Sequence, residues 1–331
     1  MRIPPSESAT ELPPARPYQV RWLDASAAPV AVDACLFSVT HGAASGGEAP
    51  NRIHVDTPLL AGPGIERWES RSPVRSGWVE DIGYAENGAA LFGQLRIDAA
   101  ALARDTAAAT EAAFVRIHRL LDAQHYPHCW RMWHYIPDIH RGSGDTERYR
   151  QFVLGRYQAL AARSGFERQL PAATAIGTQG RDLLIYWLAG RTPGTAIENP
   201  RQLSAYRYPR QYGPRSPSFA RALRLDWCDG ADLLVSGTAS IVGHATLHHG
   251  DPAGQLREIL ANLAALRSAA ESKDRHWQAQ GLKLFVRDPD LRITLASEIE
   301  ALQQVAPLLV LQGDICRSDL HLEIEPLYVS A

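Results

Sequence analysis

The chain has 331 residues, enough for two domains of ordinary size that each bury a core. Its 34 basic and 36 acidic residues nearly balance, with no basic stripe or acidic run, which argues against a nucleic-acid partner. No apolar stretch approaches the length of a membrane span, so no membrane partner is expected either.

Residues 1–16 are polar and Pro-rich with no apolar signal core, and we expect a loose arm on a cytoplasmic protein. Cys35, Cys129, Cys228 and Cys316 stand far apart, without CxxC or metal-ligand spacing, and read as free thiols of a reducing compartment. Residues 17–60 hold short β-rich runs (YQVRWL, VDACLFSV, NRIHVDTPLL), interrupted by a Gly/Ser-rich loop at 40–51 that we expect to be mobile. The stretch 76–97 predicts a hairpin turning at Asn87-Gly88. A helix follows over 98–122, with Asp98 as its N-cap and Phe114, Ile117 and Leu121 at helical spacing. Then come a strand in CWRMWHYIPDI that stops at Pro137, a helix over 145–163, and more strand in ATAIGTQGRDLLIYWLAG.

The second half repeats this order. A hairpin at 219–243 turns at Asp229-Gly230, and a helix runs from about Pro252 to His276 with Leu256, Ile259, Leu260, Leu263 and Leu266 on its apolar face. The strand LKLFVRDP, the helix ITLASEIEALQQV, and the segments PLLVLQGDI and LHLEIEPLYV complete it. The recurring order suggests an internal duplication, with halves at 17–192 and 193–331 and a seam in the turn-rich 191–202.

Two features carry chemistry. Arg207, Arg210, Arg215, Arg221 and Arg224 crowd into one proline-held stretch with Tyr206, Tyr208 and Tyr212. Guanidinium groups grip carboxylates bidentately, so this reads as the wall of an anion site, the alternative being a solvated basic face. In the last strand, Glu323 and Glu325 point away from the face that carries Leu322 and Ile324. The matching stretch of the first half, Tyr186, Trp187 and Leu188, has no acid, which implies one active centre near the interface of the halves. Arg131, Trp133 and Tyr135 share one face of their strand and either line that centre or belong to the core. His244, His248 and His249 lie in a strand end and loop without zincin spacing, so no metal is expected. With no Rossmann fingerprint and no P-loop, no cofactor is expected.

The pieces QYGPRSPSFARA, LLVSG, QLREILANLAAL, LKLFVRDP and LHLEIEPLYV resemble the RidA/YjgF superfamily in order and spacing. That resemblance implies an α+β fold of two duplicated RidA/YjgF-like (chorismate-mutase-like) units, each a mixed sheet backed by two helices. Small RidA proteins form trimers and hydrolyse imines with a strand arginine and a glutamate. Here the glutamate is Glu323, but Leu308 stands at the arginine's place, which counts against imine hydrolysis.

The whole chain is similar to a narrower family, the chorismatases, through RMWHYIPDIH, ERYRQFVLGRYQAL, YRYPRQYGPRSPSFARA, SGTASIVGH and the pair Cys316/Glu323. The resemblance implies cofactor-independent cleavage of chorismate to pyruvate and an aromatic or dihydroxylated acid. Glu323 would be the general acid and Cys316 would shape the pocket, with Arg207, Tyr212, Arg215, Arg221, Ala239 and Ser240 against the substrate. Cys316 looks like the hydroxybenzoate-forming type and Ala239 like the hydrolase type. We expect 3-hydroxybenzoate, with 4-hydroxybenzoate as a second product. The alternatives are a chorismate hydrolase, an imine hydrolase of the RidA kind, and a non-enzymatic binder of a small aromatic acid. Oligomeric state stays open.

Overall fold

A computed structural model of the chain describes residues 13–24, 26–27, 31–42, 49–271 and 276–330. Most of the expected arm and the centre of the expected mobile loop, residues 43–48, therefore lie outside the described residues. Residues 13–16 are held against the chain. Arg16 pairs with Asp232 at 3.0 Å, and the carbonyl of Pro14 accepts from the Cys228 amide.

The first strands are β1 (Tyr18–Leu23), β2 (Cys35–His41), β3 (Arg52–Val55), β4 (Leu59–Ala61) and β5 (Ile65–Ser70). A meander of β6 (Arg75–Val79), β7 (Ile82–Glu86) and β8 (Ala90–Ile97) follows; the expected hairpin at Asn87-Gly88 is its second turn. Next come α1 (Ala99–Arg104), α2 (Thr106–Ala123), β9 (His128–Pro137), α3 (Arg148–Ala161), β10 (Ala172–Thr178) and β11 (Leu183–Gly190). The second half contains β12 (Thr195–Ile197), β13 (Ala222–Trp227), β14 (Gly230–Val235), β15 (Ile241–Val242), β16 (Ala245–Thr246) and α4 (Pro252–Ala270). It ends with β17 (Gln278–Val286), α5 (Leu291–Thr294), α6 (Ala296–Gln303), β18 (Leu308–Gln312) and β19 (Leu322–Ser330).

The helix expected over 98–122 is two helices. Asp98 caps the first as foreseen, but Asp105 takes an extended backbone and caps the second by accepting from the Ala108 amide. A short acceptor side chain competes with the helix ladder in this way. The helix expected to reach His276 ends at Ala270, and 272–275 lie outside the described residues. On it Leu256, Ile259, Leu263 and Leu266 are buried, whereas Leu260 is exposed.

The duplication is explicit in the strand order. One sheet runs β6-β7-β8-β11-β9-β10 and the other β12-β13-β14-β19-β17-β18, with β4 added at the far edge of the second. In each the β9/β10 or β17/β18 pair is parallel and every other pairing is antiparallel. Helices cover the outer faces, α2 and α3 on the first sheet, α4 and α6 on the second, each over its own apolar core. The inner faces meet each other and a third sheet, β1-β5-β2-β3, in a central cluster rich in aromatic rings. The architecture is α+β, with two units of a mixed sheet backed by two principal helices.

Charge also holds the three sheets together. Lys283 on β17 pairs with Glu66 on β5 at 2.6 Å and with Glu325 on β19 at 3.0 Å, while Arg131 on β9 reaches Glu325 at 2.9 Å. All four side chains are buried. Such a set persists only when each charge is matched, because a lone buried ion is expensive.

Candidate active site

A cavity of about 390 Å³ opens between the two halves. Tyr149, Phe152 and Arg156 of α3 and Ala173–Ala175 of β10 line it from the first half. Tyr208, Tyr212, Arg221, Gly237, Ala239, Cys316, Arg317 and Glu323 line it from the second.

Strand alternation places Glu323. Leu322 and Ile324 enter the helix-side core, which turns Glu323 and Glu325 inward. The segment after β14 then approaches β19, and Thr238 and Ile324 exchange backbone hydrogen bonds of 2.9 and 3.0 Å. Gly237 is required at this approach, because a Cβ there would lie 1.8 Å from Glu323 Oε1. Ser236 and Thr174 tie this segment to the first half. Ser236 Oγ accepts from the Ala173 amide at 2.8 Å, and Thr174 Oγ1 accepts from the Gly237 amide at 3.0 Å.

The two carboxyls have opposite environments. Glu323 is 4% exposed, and its pKa is pushed up to about 8 by burial first and by neighbouring Glu325 second, against the pull of Arg131 and Arg221. Glu325 is equally buried, but Lys283 and Arg131 outweigh that burial, and the Trp133 indole and Thr174 hydroxyl donate to it, each at 2.7 Å. Its pKa is drawn down to about 2. At neutral pH Glu323 therefore holds a proton and Glu325 does not. Burial, then Glu323, pushes the Cys316 thiol up to about 12, so it stays protonated and is no nucleophile.

Arg156, Arg221 and Arg317, all on the cavity wall, each keep one buried guanidinium nitrogen without a partner. Arg221 gives Nη2 to the Leu203 carbonyl and the Tyr208 hydroxyl, at 2.7 and 2.8 Å, while its buried Nε has no partner. Arg317 gives Nη1 to the His244 carbonyl at 2.9 Å and stacks 3.9 Å over the Tyr212 ring, and its buried Nη2 has no partner. Arg287 holds the loop that carries Cys316 and Arg317 by donating to the carbonyls of Ile315, Arg317 and Ser318.

Of the residues singled out in the sequence, the cavity gathers Glu323, Cys316, Tyr212, Arg221 and Ala239. The other members of the arginine run point elsewhere. Arg207 and Arg215 are exposed over the rings of Tyr206 and Tyr157, Arg210 pairs with Asp145, and Arg224 with Asp226. Short 3₁₀ turns in this stretch send successive side chains in different directions. Ser240 is fully buried and donates to the Leu247 carbonyl. Arg131, Trp133 and Tyr135 lie behind the lining in the central cluster, where Arg131 and Trp133 hold Glu325. His244 bonds the Tyr212 hydroxyl at 3.0 Å, and His248 and His249 meet Glu258 and Asp319. Sequence reasoning missed Arg317, Tyr149 and Thr174. Arg317 had one available signal, its place beside Cys316.

Fold and cavity together define a small-molecule enzyme built on a duplicated α+β unit. The family model described as "Chorismatase FkbO/Hyg5-like, N-terminal" matches residues 66–189. A protein named chorismatase from Streptomyces rapamycinicus is 38% identical over 273 residues, covering 78% of this chain and 80% of the relative. A 3-hydroxybenzoate synthase from Streptomyces hygroscopicus is 38% identical over 281 residues, covering 80% and 81%. A crystal structure of a chorismatase superimposes with a TM-score of 0.80 at 31% identity, covering 94% of this chain and 98% of that one. The chain belongs to the chorismatase family. Among the described residues no helix is long and apolar enough to cross a membrane.

Proposed function

We propose that this enzyme converts chorismate to 3-hydroxybenzoate and pyruvate, with 4-hydroxybenzoate as a second product, and that Glu323 is the proton donor. The observation that carries this reading is a carboxyl held protonated at neutral pH beside unpartnered guanidinium donors in one cavity. Chorismate brings two carboxylates, and we assign them to Arg221 and Arg317, both of which line the cavity.

Glu323 gives its proton to the enolpyruvyl methylene carbon, and the ether becomes a leaving group. The C4 hydroxyl oxygen attacks C3, the C3–O bond breaks and its electrons form the ketone of pyruvate. The hydroxyl proton returns to the Glu323 carboxylate. The arene oxide opens at C4–O and loses the C3 hydrogen, giving 3-hydroxybenzoate; opening at C3–O gives the 4-isomer. Atoms balance without water. Cys316, a neutral thiol on the cavity wall, supports this route by filling space where a water would compete. Ala239 on the same wall favours a second reading, hydrolysis to a dihydroxycyclohexadiene carboxylate.

The test is incubation of the purified protein with chorismate, with products resolved by chromatography. Hydroxybenzoate and pyruvate in equal amounts are expected. A non-aromatic diol would select hydrolysis, and pyruvate no faster than the uncatalysed background would overturn both readings.

A further inference from the structure

A second cavity, of about 270 Å³, lies on the helical side of the first half, among α2, α3 and β9. Its walls are mixed: Phe114, Ile117 and Leu121 from α2, Met132 from β9 and Leu160 from α3 form an apolar side, and His118, Asp122, Arg163 and Gln169 a polar one. Two cations border it, Arg163 at the surface and Arg156, which is 5% exposed and sits against the apolar side.

Arg156 has neither a carboxylate nor an oxygen acceptor against it among the described residues, unlike Arg131, Arg148 and Arg221. Arg131 has Glu325, Arg148 has the Pro137 carbonyl and Asp138, and Arg221 has Tyr208 and Leu203. Among the described residues no carboxylate pairs with Arg156. Its Nη2 meets the Met132 sulfur at 3.7 Å, its guanidinium lies 5.3 Å from the Phe114 ring centroid, and its buried Nε has no partner. A buried guanidinium without a counter-anion is costly, and burial pushes its pKa down to about 10. Arg156 also borders the catalytic cavity, but Phe114 and Met132, which its head group touches, line only the second one.

The remaining polar groups limit the charge of a ligand. Arg163 is already paired with both oxygens of Asp122, at 2.8 and 2.9 Å. Burial pushes His118 down to about 4, so it is neutral at pH 7. One unmatched positive charge remains, beside an aromatic ring and a thioether that both favour a flat π-face.

We propose that this cavity is a second ligand site, taking a small aromatic monocarboxylate that pairs with Arg156 and lays its ring against Phe114 and Met132. The hydroxybenzoate of the proposed reaction is one acid of this class. The naming of that acid and its second equivalent at the catalytic cavity rest on the proposed reaction; the site itself follows from Arg156 and its walls.

Binding is the readout, so the outcome is independent of turnover. Crystals of the intact protein soaked in 3-bromobenzoate should show a bromine anomalous peak in the α2–α3 cavity, with the carboxylate at Arg156. Calorimetric titration of the wild type with 3-hydroxybenzoate should give two equivalents per chain. Arg156→Met should lose the α2–α3 peak, and His118→Trp, a half-buried position that borders only this cavity, should lose one of the two equivalents. A bromine peak confined to the catalytic cavity, or no peak at all, would overturn the proposal. So would binding at crystal concentration only, with no equivalent in solution lost on His118→Trp.

Discussion

Glu323 and Glu325 stand two residues apart on one face of β19, yet one is held up to about 8 and the other down to about 2. Burial is common to both. The difference is that Lys283, Arg131, Trp133 and Thr174 all converge on Glu325, leaving Glu323 desolvated beside an anion. Pairs driven apart in this way divide the labour of acid and structural ion. Replacing Glu323 with Gln keeps the shape and removes the acidic proton. We expect kcat to fall by about 10²- to 10⁴-fold, with thermal stability unchanged or raised. Unchanged pyruvate release from Glu323→Gln would remove Glu323 from the reaction.

The same residue sets a pH dependence. Because Glu323 has its pKa raised from 4.5 to about 8, its stabilising contribution is present below pH 4.5 and lost as pH rises through 8. We expect kcat/KM to decline above pH 8, and Glu323→Gln to flatten the loss of stability between pH 4.5 and 8. Glu325 has the opposite sign: its contribution is present above pH 4.5 and is lost as pH falls through about 2. Denaturant titrations of both proteins across pH 4 to 9 measure the difference.

Gly237 is the backbone that touches the acid. A methyl group there meets Glu323 Oε1 at 1.8 Å, so either the carboxyl or the 236–240 segment has to move. Gly237→Ala is expected to destabilise the fold by about 1–3 kcal/mol and to lower kcat more than it raises KM. Steady-state kinetics beside a urea titration separate the two effects.

Lys283 is matched to two carboxylates. Lys283→Met leaves Glu66 and Glu325 buried without it, and we expect a loss of about 3–5 kcal/mol. The double variant Glu66→Gln with Lys283→Met removes one stranded charge and should recover part of that loss. No recovery would mean that Glu66 and Lys283 act independently.

Much of the fold was legible because its signals are local. Asn87-Gly88 turns a hairpin, Asp98 caps a helix, and the repeated order of elements reappears as two sheets of one strand order; the second hairpin turns one residue earlier than expected, at Cys228-Asp229, because Gly230 already pairs with Trp227. The break at Asp105 was missed because an acidic residue inside a helical pattern reads the same whether it faces solvent or caps a new turn. In the site, alternation along β19 pointed to Glu323. The arginine run misled because density along the chain says nothing of direction: Arg221 reaches the cavity, while Arg207, Arg210 and Arg215 turn outward to rings and to Asp145. Arg131 and Trp133 were read as possible lining, and their actual partner, Glu325, lies almost two hundred residues away in sequence, at a separation no local pattern encodes.

The four-membered ion set has a bearing on how the chain comes apart. Glu66 belongs to the N-terminal sheet, Arg131 to the first large sheet, and Lys283 and Glu325 to the second, so the two cations and two anions cancel only when all three are assembled. No sheet can detach without leaving an unmatched ion behind. The halves, although each has its own helix-side core, are therefore coupled into a single cooperative unit, and heat should melt the protein in one transition instead of unit by unit.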